Sequence, residues 1–387
     1  MQKLICTIVT IFSISILFIS CKEENNPVVT TSEKQFSADM QSKLEAALDK
    51  AMLENHIPGV IVGVWIPGEG NWVTAKGLSN IATDEPMKLE NHFRMGSVTK
   101  TFTGTVVLKL VEQGKSNLDS SLAYYLPQYN FQKADKITVR YLGNMRAGIL
   151  SYTDDPNWYN SQVACNFEKY FTADSLVKIA LGYPTYFEPG SKHYYCNTNT
   201  VLLGMICEKV TGKPISQLLK EMIFEPYGLS NTSWPQSRFL PLPFSHGYTN
   251  KTSSGQLQDL TFMDPSWADA AGILVSTIDD LKKFIKLLGT GGFYSAAMHT
   301  ERMKLVDDYG FAITSGNGWI GHTGAVPGFT TGAFYNPAKD AVLIVNVNSN
   351  MDNPITGLGP SDAICESLMN ILAPATGVSK LNVKWFE

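Results

Sequence analysis

Apolar positions along the chain switch between two periods. Met40, Leu44, Ala47, Leu48, Ala51 and Met52 recur at helical spacing, which predicts a helix over 37–55 with Ser37 as its N-terminal cap. Val60 to Ile66 is a continuous β-rich run, and Pro67-Gly68-Glu69-Gly70-Asn71 turns it into a second strand, 72–77. From Ser97 to Gln113 the apolar residues (Val98, Phe102, Val106, Val107, Leu108, Leu110, Val111) fall on more than one face. That pattern predicts a buried helix, stopped by Gly114. Helical signals continue at 138–144, 173–181, 199–210 and 214–222, and Thr277-Ile278-Asp279-Asp280 resembles a cap for a helix reaching Leu288. After Tyr309 the texture changes to strands, at 310–314, 330–335 and 341–348, closed by a helix near 361–372. Strands at both ends around a helical middle predict a mixed α/β (α+β) domain over 37–375. Its antiparallel sheet, flanked by helices, comes from both chain ends (about 37–96 and 265–375), with a helical insertion at about 97–264 and a tail at 376–387.

The amino terminus reads as an address. Lys3 precedes an apolar run from Leu4 to Ile19, which is short for a membrane span of about 20 residues and fits a secretory signal over 1–20. Phe18-Ile19-Ser20-Cys21 resembles a bacterial lipobox, with Phe18 where the common pattern has leucine. This predicts export and lipidation of Cys21, a polar tether over 21–36, and anchoring to the cell envelope. Lys22-Glu23-Glu24 resembles a signal for the outer surface; a plain signal peptide or a short anchor is the alternative.

Composition narrows the function classes. With 44% hydrophobic and 17% charged residues the chain can bury a sizeable core, which excludes a disordered tail protein. A net charge of −4 supplies no basic field for a phosphate backbone, so no nucleic-acid partner is expected. Cys165, Cys196, Cys207 and Cys365 contain no C-x-x-C pair, and four cysteines allow three connectivities besides free thiols. The histidines form no H-E-x-x-H or close Cys/His cluster, so neither metal nor cofactor is expected.

Chemistry begins at Ser97-Val98-Thr99-Lys100. A serine and a lysine three apart share one helix face, and the free amides of a first turn favour developing negative charge. A lysine that loses its proton through burial can activate the serine. About one or two S-x-x-K matches arise by chance in a chain like this. Ser175-Leu176-Val177-Lys178 is such a match, on an ordinary amphipathic pattern, and reads as a decoy. Tyr195-Cys196-Asn197 adds a phenol that can relay protons and a carboxamide that can hold a substrate amide, in a loop before an apolar helix. His322-Thr323-Gly324 places polar side chains before a strand, with a glycine that lets a substrate backbone pass closely. Each motif alone is weak; in this order and at these spacings they form a constellation.

That constellation resembles the penicillin-recognising serine hydrolases, namely the class C β-lactamases and, more closely, their DD-carboxypeptidase relatives. The resemblance runs from about Ile57 to Asn348. It takes in Phe93-Arg94-Met95-Gly96, 142–148, Leu202-Leu203-Gly204, and Ala270-Ala271-Gly272 with Ser276-Thr277. It implies a β-lactamase/transpeptidase-like fold and an acyl-enzyme mechanism. Ser97 would be the nucleophile, Lys100 and Tyr195 the acid/base pair, and Asn197, His322, Thr323 and Gly324 the substrate contacts. The backbone amides of Ser97 and Ala325 would hold the oxyanion. Trp158, Tyr159 and Trp267 are candidates for an apolar wall. The third motif is His-Thr-Gly where typical class C β-lactamases have Lys-Thr-Gly, which points toward carboxypeptidases and esterases.

No arginine follows Arg302, and Lys304 and Lys339 are not obviously placed to meet a terminal carboxylate; His322 or Thr323 would have to serve. The resemblance still makes a D-alanyl-D-alanine carboxypeptidase the leading expectation, while an esterase or another amidase, which needs no such contact, stays open. An esterase or β-lactamase on the same fold is the alternative, and a non-catalytic binder of cell-wall peptides or β-lactams is the alternative of another class. Substrates would be small peptides, esters or β-lactams.

Overall fold

A computed structural model describes residues 34–353 and 355–373, so the leader, Cys21 and the tail lie outside the described residues. Helix α1 (Ala38–Glu54) starts at Ser37, whose hydroxyl accepts the Met40 amide at 3.3 Å. The first hairpin follows as β1 (Gly59–Ile66) and β2 (Gly70–Asn80), with a short β3 (Glu85–Pro86). The carboxy-terminal part adds β4 (Tyr309–Gly310), β5 (Ile313–Gly316), β6 (Trp319–Val326), β7 (Phe329–Asn336) and β8 (Ala341–Val347). Among the described residues these form one eight-stranded sheet in the order β3-β2-β1-β8-β7-β6-β5-β4. The two chain ends meet where β1 pairs with β8, Val60 opposite Val347, in antiparallel register.

Both faces of this junction are covered, which explains why β1 and β8 read as continuous apolar runs rather than as alternating ones. Val60, Val62, Val64, Leu343 and Val345 pack with α1 (Leu44, Leu48) and with α5 (Pro360–Leu372; Ile364, Leu368) on one face. Ile61, Val342 and Ile344 belong to the larger core on the other face. That core includes Phe102 of α2 (Thr99–Glu112) and Phe284 of α4 (Ile278–Thr290), whose rings stack. The middle of the chain is mainly helical and includes α3 (Asn197–Thr211). It is tied at its base by Phe93–Arg94 pairing with Val275–Ser276. The buried Arg94 guanidinium donates to the carbonyls of Arg238, Thr261 and Met263, pinning the loop that leads back to the sheet.

Two strand expectations need correction. The run 310–314 is not one strand: Phe311 and Ala312 form a turn between β4 and β5, with Ala312 at φ +51. His322-Thr323-Gly324 lies inside β6, not before a strand. Cys165, Cys196, Cys207 and Cys365 are free thiols. Among the described residues no His/Cys/Asp/Glu group could hold a metal ion, and no helix is long and apolar enough to cross a membrane.

Candidate active site

From Asn91 to Leu108 only Ser97 is partly exposed; every other residue there is buried. Ser97 sits in a tight turn, Gly96–Val98, that feeds α2, and Lys100 follows one turn later, fully buried. Lys100 Nζ lies 2.9 Å from Ser97 Oγ, 2.6 Å from Asn197 Oδ1 and 2.8 Å from the Ala271 carbonyl oxygen. Burial pushes its pKa well below the usual lysine value. A neutral amine has two N–H groups and one lone pair. The two carbonyl oxygens take the hydrogens, and the lone pair is left facing the serine hydroxyl, so the Lys100 environment is that of a general base.

The Ala271 carbonyl is held in place by α2 itself. Thr103 Oγ1 donates to the Ala270 carbonyl at 2.7 Å, and Thr99 Oγ1 accepts the Leu274 amide at 3.1 Å.

Tyr195 completes the proton machinery. Its hydroxyl is hydrogen-bonded with Ser97, and Lys100 Nζ stands 4.8 Å from its ring centroid. Burial drives the phenol pKa upward, so Tyr195 keeps its proton and is available as a donor to a leaving group. Asn197 is not in a loop; it is the first residue of α3, with its amide nitrogen bonded to Ser151 Oγ at 3.1 Å. Its Nδ2 donates to Thr153 Oγ1 at 3.0 Å, which leaves one N–H of the carboxamide for a substrate.

The second half of the site comes from β6. Val326 and Phe329 close a two-residue hairpin loop, and their pairing turns the Ala325 amide toward the opposite edge of the strand. Strand β5 covers that edge only as far as Gly321, so the edge beside Ala325 is open. Gly96, at φ +51, faces this amide: a Cβ there would stand 2.6 Å from Ala325 N. The first amides of a helix have no intrahelical partner and the Ala325 amide lies on an uncovered strand edge, so the amides of Ser97 and Ala325 are available as donors.

Three sequence expectations change here. Gly324 makes room for the nucleophile turn rather than for substrate, since a Cβ would lie 2.1 Å from the Met95 carbonyl oxygen and 2.8 Å from Ser97 N. His322 is not an exposed ligand. It is buried, with Nδ1 against the Thr323 carbonyl and Nε2 3.1 Å from the Tyr309 hydroxyl. Burial pushes its pKa down to about 3, so the ring is neutral: Nδ1–H donates and Nε2 accepts. Trp267 belongs to a buried aromatic cluster, 5.8 Å from Trp158 and 5.7 Å from Phe167, and not to an open wall. Thr323 stays partly exposed beside Ala325, while Tyr159 is exposed.

The decoy serine is resolved as well: Ser175 closes a capping box with Thr172, and Lys178 pairs with Asp174 at 2.7 Å. Residues that the sequence did not single out are Thr153 and Tyr309. Ala271 was visible only as part of Ala270-Ala271-Gly272, since a backbone acceptor leaves no side-chain mark of its role.

The buried neutral His322 gives a pH prediction. Its folded pKa lies below the unfolded value of 6.5, so the unfolded state binds more protons as pH falls, and stability is lost from about 6.5 toward 3. Between pH 7 and pH 4 the native protein is expected to lose on the order of 3 kcal/mol more than His322→Gln in denaturant titrations. Equal losses would mean that the ring is not held neutral.

The model of the family described as Beta-lactamase matches residues 44–357, most of the chain and all of this site. The chain belongs to that family, and with it to the penicillin-recognising serine hydrolases. Penicillin-binding protein 4* of Bacillus subtilis is 27% identical over 66% of this chain and 60% of its own length. The curated relatives it matches are longer: the chain spans 64% of protein flp of Staphylococcus aureus, at 23% identity. Among solved structures, a D-stereospecific amidohydrolase from Streptomyces is 29% identical with a TM-score of 0.75, covering 84% of this chain and 98% of that one. A D-amino acid amidase from Ochrobactrum anthropi, complexed with L-phenylalanine amide, is 26% identical with a TM-score of 0.76, covering 87% and 99%. The fold is therefore β-lactamase/transpeptidase-like, and the chain belongs to a family of serine hydrolases.

Proposed function

We propose that this hydrolase cleaves small amides with a D-configured acyl residue, as an amidase or aminopeptidase, ahead of the D-alanyl-D-alanine carboxypeptidase role that the motifs first favour. In the reaction Ser97 Oγ bonds to the amide carbon while Lys100 takes its proton. The amides of Ser97 and Ala325 hold the oxyanion, the C–N bond breaks as Tyr195 protonates the amine, and water then hydrolyses the ester. The observation that carries the choice is the state of the basic groups around the third motif.

Arg302 is buried and donates to Thr105 Oγ1, the Tyr294 hydroxyl and the carbonyls of Thr101 and Ala312. Lys304 pairs with Glu301, Lys339 with Glu69, and His322 is neutral. None of these groups is set to meet a terminal carboxylate, which a carboxypeptidase must bind and an amidase need not. The two amide hydrolases among the structural neighbours support the same reading.

The test is a substrate panel: D- and L-amino acid amides, acetyl-D-Ala-D-Ala, a p-nitrophenyl ester and a chromogenic cephalosporin. Ammonia release from D-amides is expected to give the highest kcat/KM. Rapid cleavage of acetyl-D-Ala-D-Ala with the amides inert would restore the carboxypeptidase.

A further inference from the structure

The segment 151–154 lies against Asn197, and it ends in a carboxylate without a countercharge. Ser151 Oγ accepts the Asn197 amide, and Thr153 Oγ1 accepts its side-chain N–H. Asp154 Oδ1 is 3.3 Å from the same Thr153 Oγ1, and Asp154 Oδ2 accepts the Tyr194 hydroxyl. Tyr186, half exposed, packs edge-on against Tyr194 with ring centroids 5.4 Å apart.

Neighbouring carboxylates have evident structural tasks. Asp155 caps the helix Pro156–Ala164 through the Trp158 amide, and Asp174 pairs with Lys178. Asp154 has none of these. Among the described residues no lysine, arginine or histidine pairs with it, and only hydroxyls contact it. It is open to solvent, and desolvation by the surrounding protein raises its pKa.

We propose that Asp154, with the rings of Tyr194 and Tyr186 beside it, receives an ammonium group on the acyl half of the substrate; this rests on the amidase reading above. A carboxylate in partly dry surroundings is stabilised by a cation that arrives with the ligand, and tyrosine faces add attraction for the same charge. The side of the site follows from the proton donor. Tyr195 lies against Tyr309 and His322, with ring centroids 6.2 and 6.0 Å away, and we place the leaving amine on that side of its hydroxyl. The acyl half then falls toward Asn197, Thr153 and Asp154. The substrate class is a D-amino acid amide, or a short peptide, with a free amino terminus.

The experiment compares kcat/KM for D-phenylalanine amide and N-acetyl-D-phenylalanine amide in the native protein, Asp154→Asn, Asp154→Glu and Tyr194→Phe. The native ratio is expected to favour the free amine by roughly 10- to 100-fold, the scale of a charge-assisted hydrogen bond. Asp154→Asn should bring the ratio close to one, mainly through KM. Asp154→Glu should restore part of the preference, and Tyr194→Phe, which keeps the carboxylate, should lower it less than Asp154→Asn does. A ratio that Asp154→Asn leaves unchanged, or a native preference for the acetylated amide, would overturn the ammonium site while the amidase reading stands. If neither amide is cleaved but acetyl-D-Ala-D-Ala is, the amidase reading falls and takes this proposal with it.

Discussion

Ser97→Ala is expected to lower kcat by roughly 10⁴-fold or more on every substrate that the native protein turns over, and to abolish the acyl-enzyme adduct in intact mass spectra. Without Ser97 Oγ there is no atom to form the ester, and the lone pair of Lys100 has no hydroxyl to activate, although its hydrogen bonds to Asn197 and Ala271 persist. Because the contacts that bury Lys100 come from those partners, the variant should fold with a melting temperature near that of the native protein. Ser175→Ala is the matched control. It opens the capping box at Thr172 at a cost of about 1 kcal/mol in stability, with turnover intact. Residual native-like turnover in Ser97→Ala, or its loss in Ser175→Ala, would show that the nucleophile lies elsewhere.

How far the sequence reveals this site depends on which kind of atom does the work. The helix over 97–113 is visible because it is buried on several faces, and Ser97, Lys100, Tyr195 and Asn197 are visible because they act through side chains at fixed spacings. The structure adds that Ser97 is the one partly exposed residue between Asn91 and Leu108, and that burial favours the neutral amine of Lys100.

Strand β6 was legible only as a motif. Its sequence, W-I-G-H-T-G-A-V, carries two glycines and a histidine where a strand would show branched apolar residues. The structure gives local reasons: His322 is inward and paired with Tyr309, and Gly324 must be small because the Met95–Ser97 backbone occupies the space of its side chain. The turn between β4 and β5 was missed because Phe311 and Ala312 carry no turn chemistry. Tertiary contacts hold it, the Ala312 amide bonding the Gly143 carbonyl at 2.9 Å. Thr153 and Asp154 showed no sequence signal, since nothing in their spacing links them to Asn197.

Gly324→Ala is expected to cost about 10²- to 10³-fold in kcat with the nucleophile, base and proton donor all still present. The added Cβ would meet three backbone atoms: the Met95 carbonyl oxygen at 2.1 Å, Ser97 N at 2.8 Å and Gly96 C at 3.1 Å. Backbone cannot rotate aside as a flexible side chain can, so β6 and the Gly96–Val98 turn must separate. That movement draws the Ala325 amide away from the Ser97 amide, and an oxyanion donor loses most of its effect when its distance lengthens beyond hydrogen-bond range. Overpacking of this kind also costs about 1–3 kcal/mol of stability, so the thermal melt should shift down while the unfolding transition stays cooperative.

The signature that separates this effect from general destabilisation is kinetic. Well below the melting temperature kcat should fall, while KM changes little for a substrate held mainly through its acyl half. Near-native kcat in a folded Gly324→Ala protein would mean that β6 yields without disturbing the two amides, and the oxyanion site would then have to be sought on other donors.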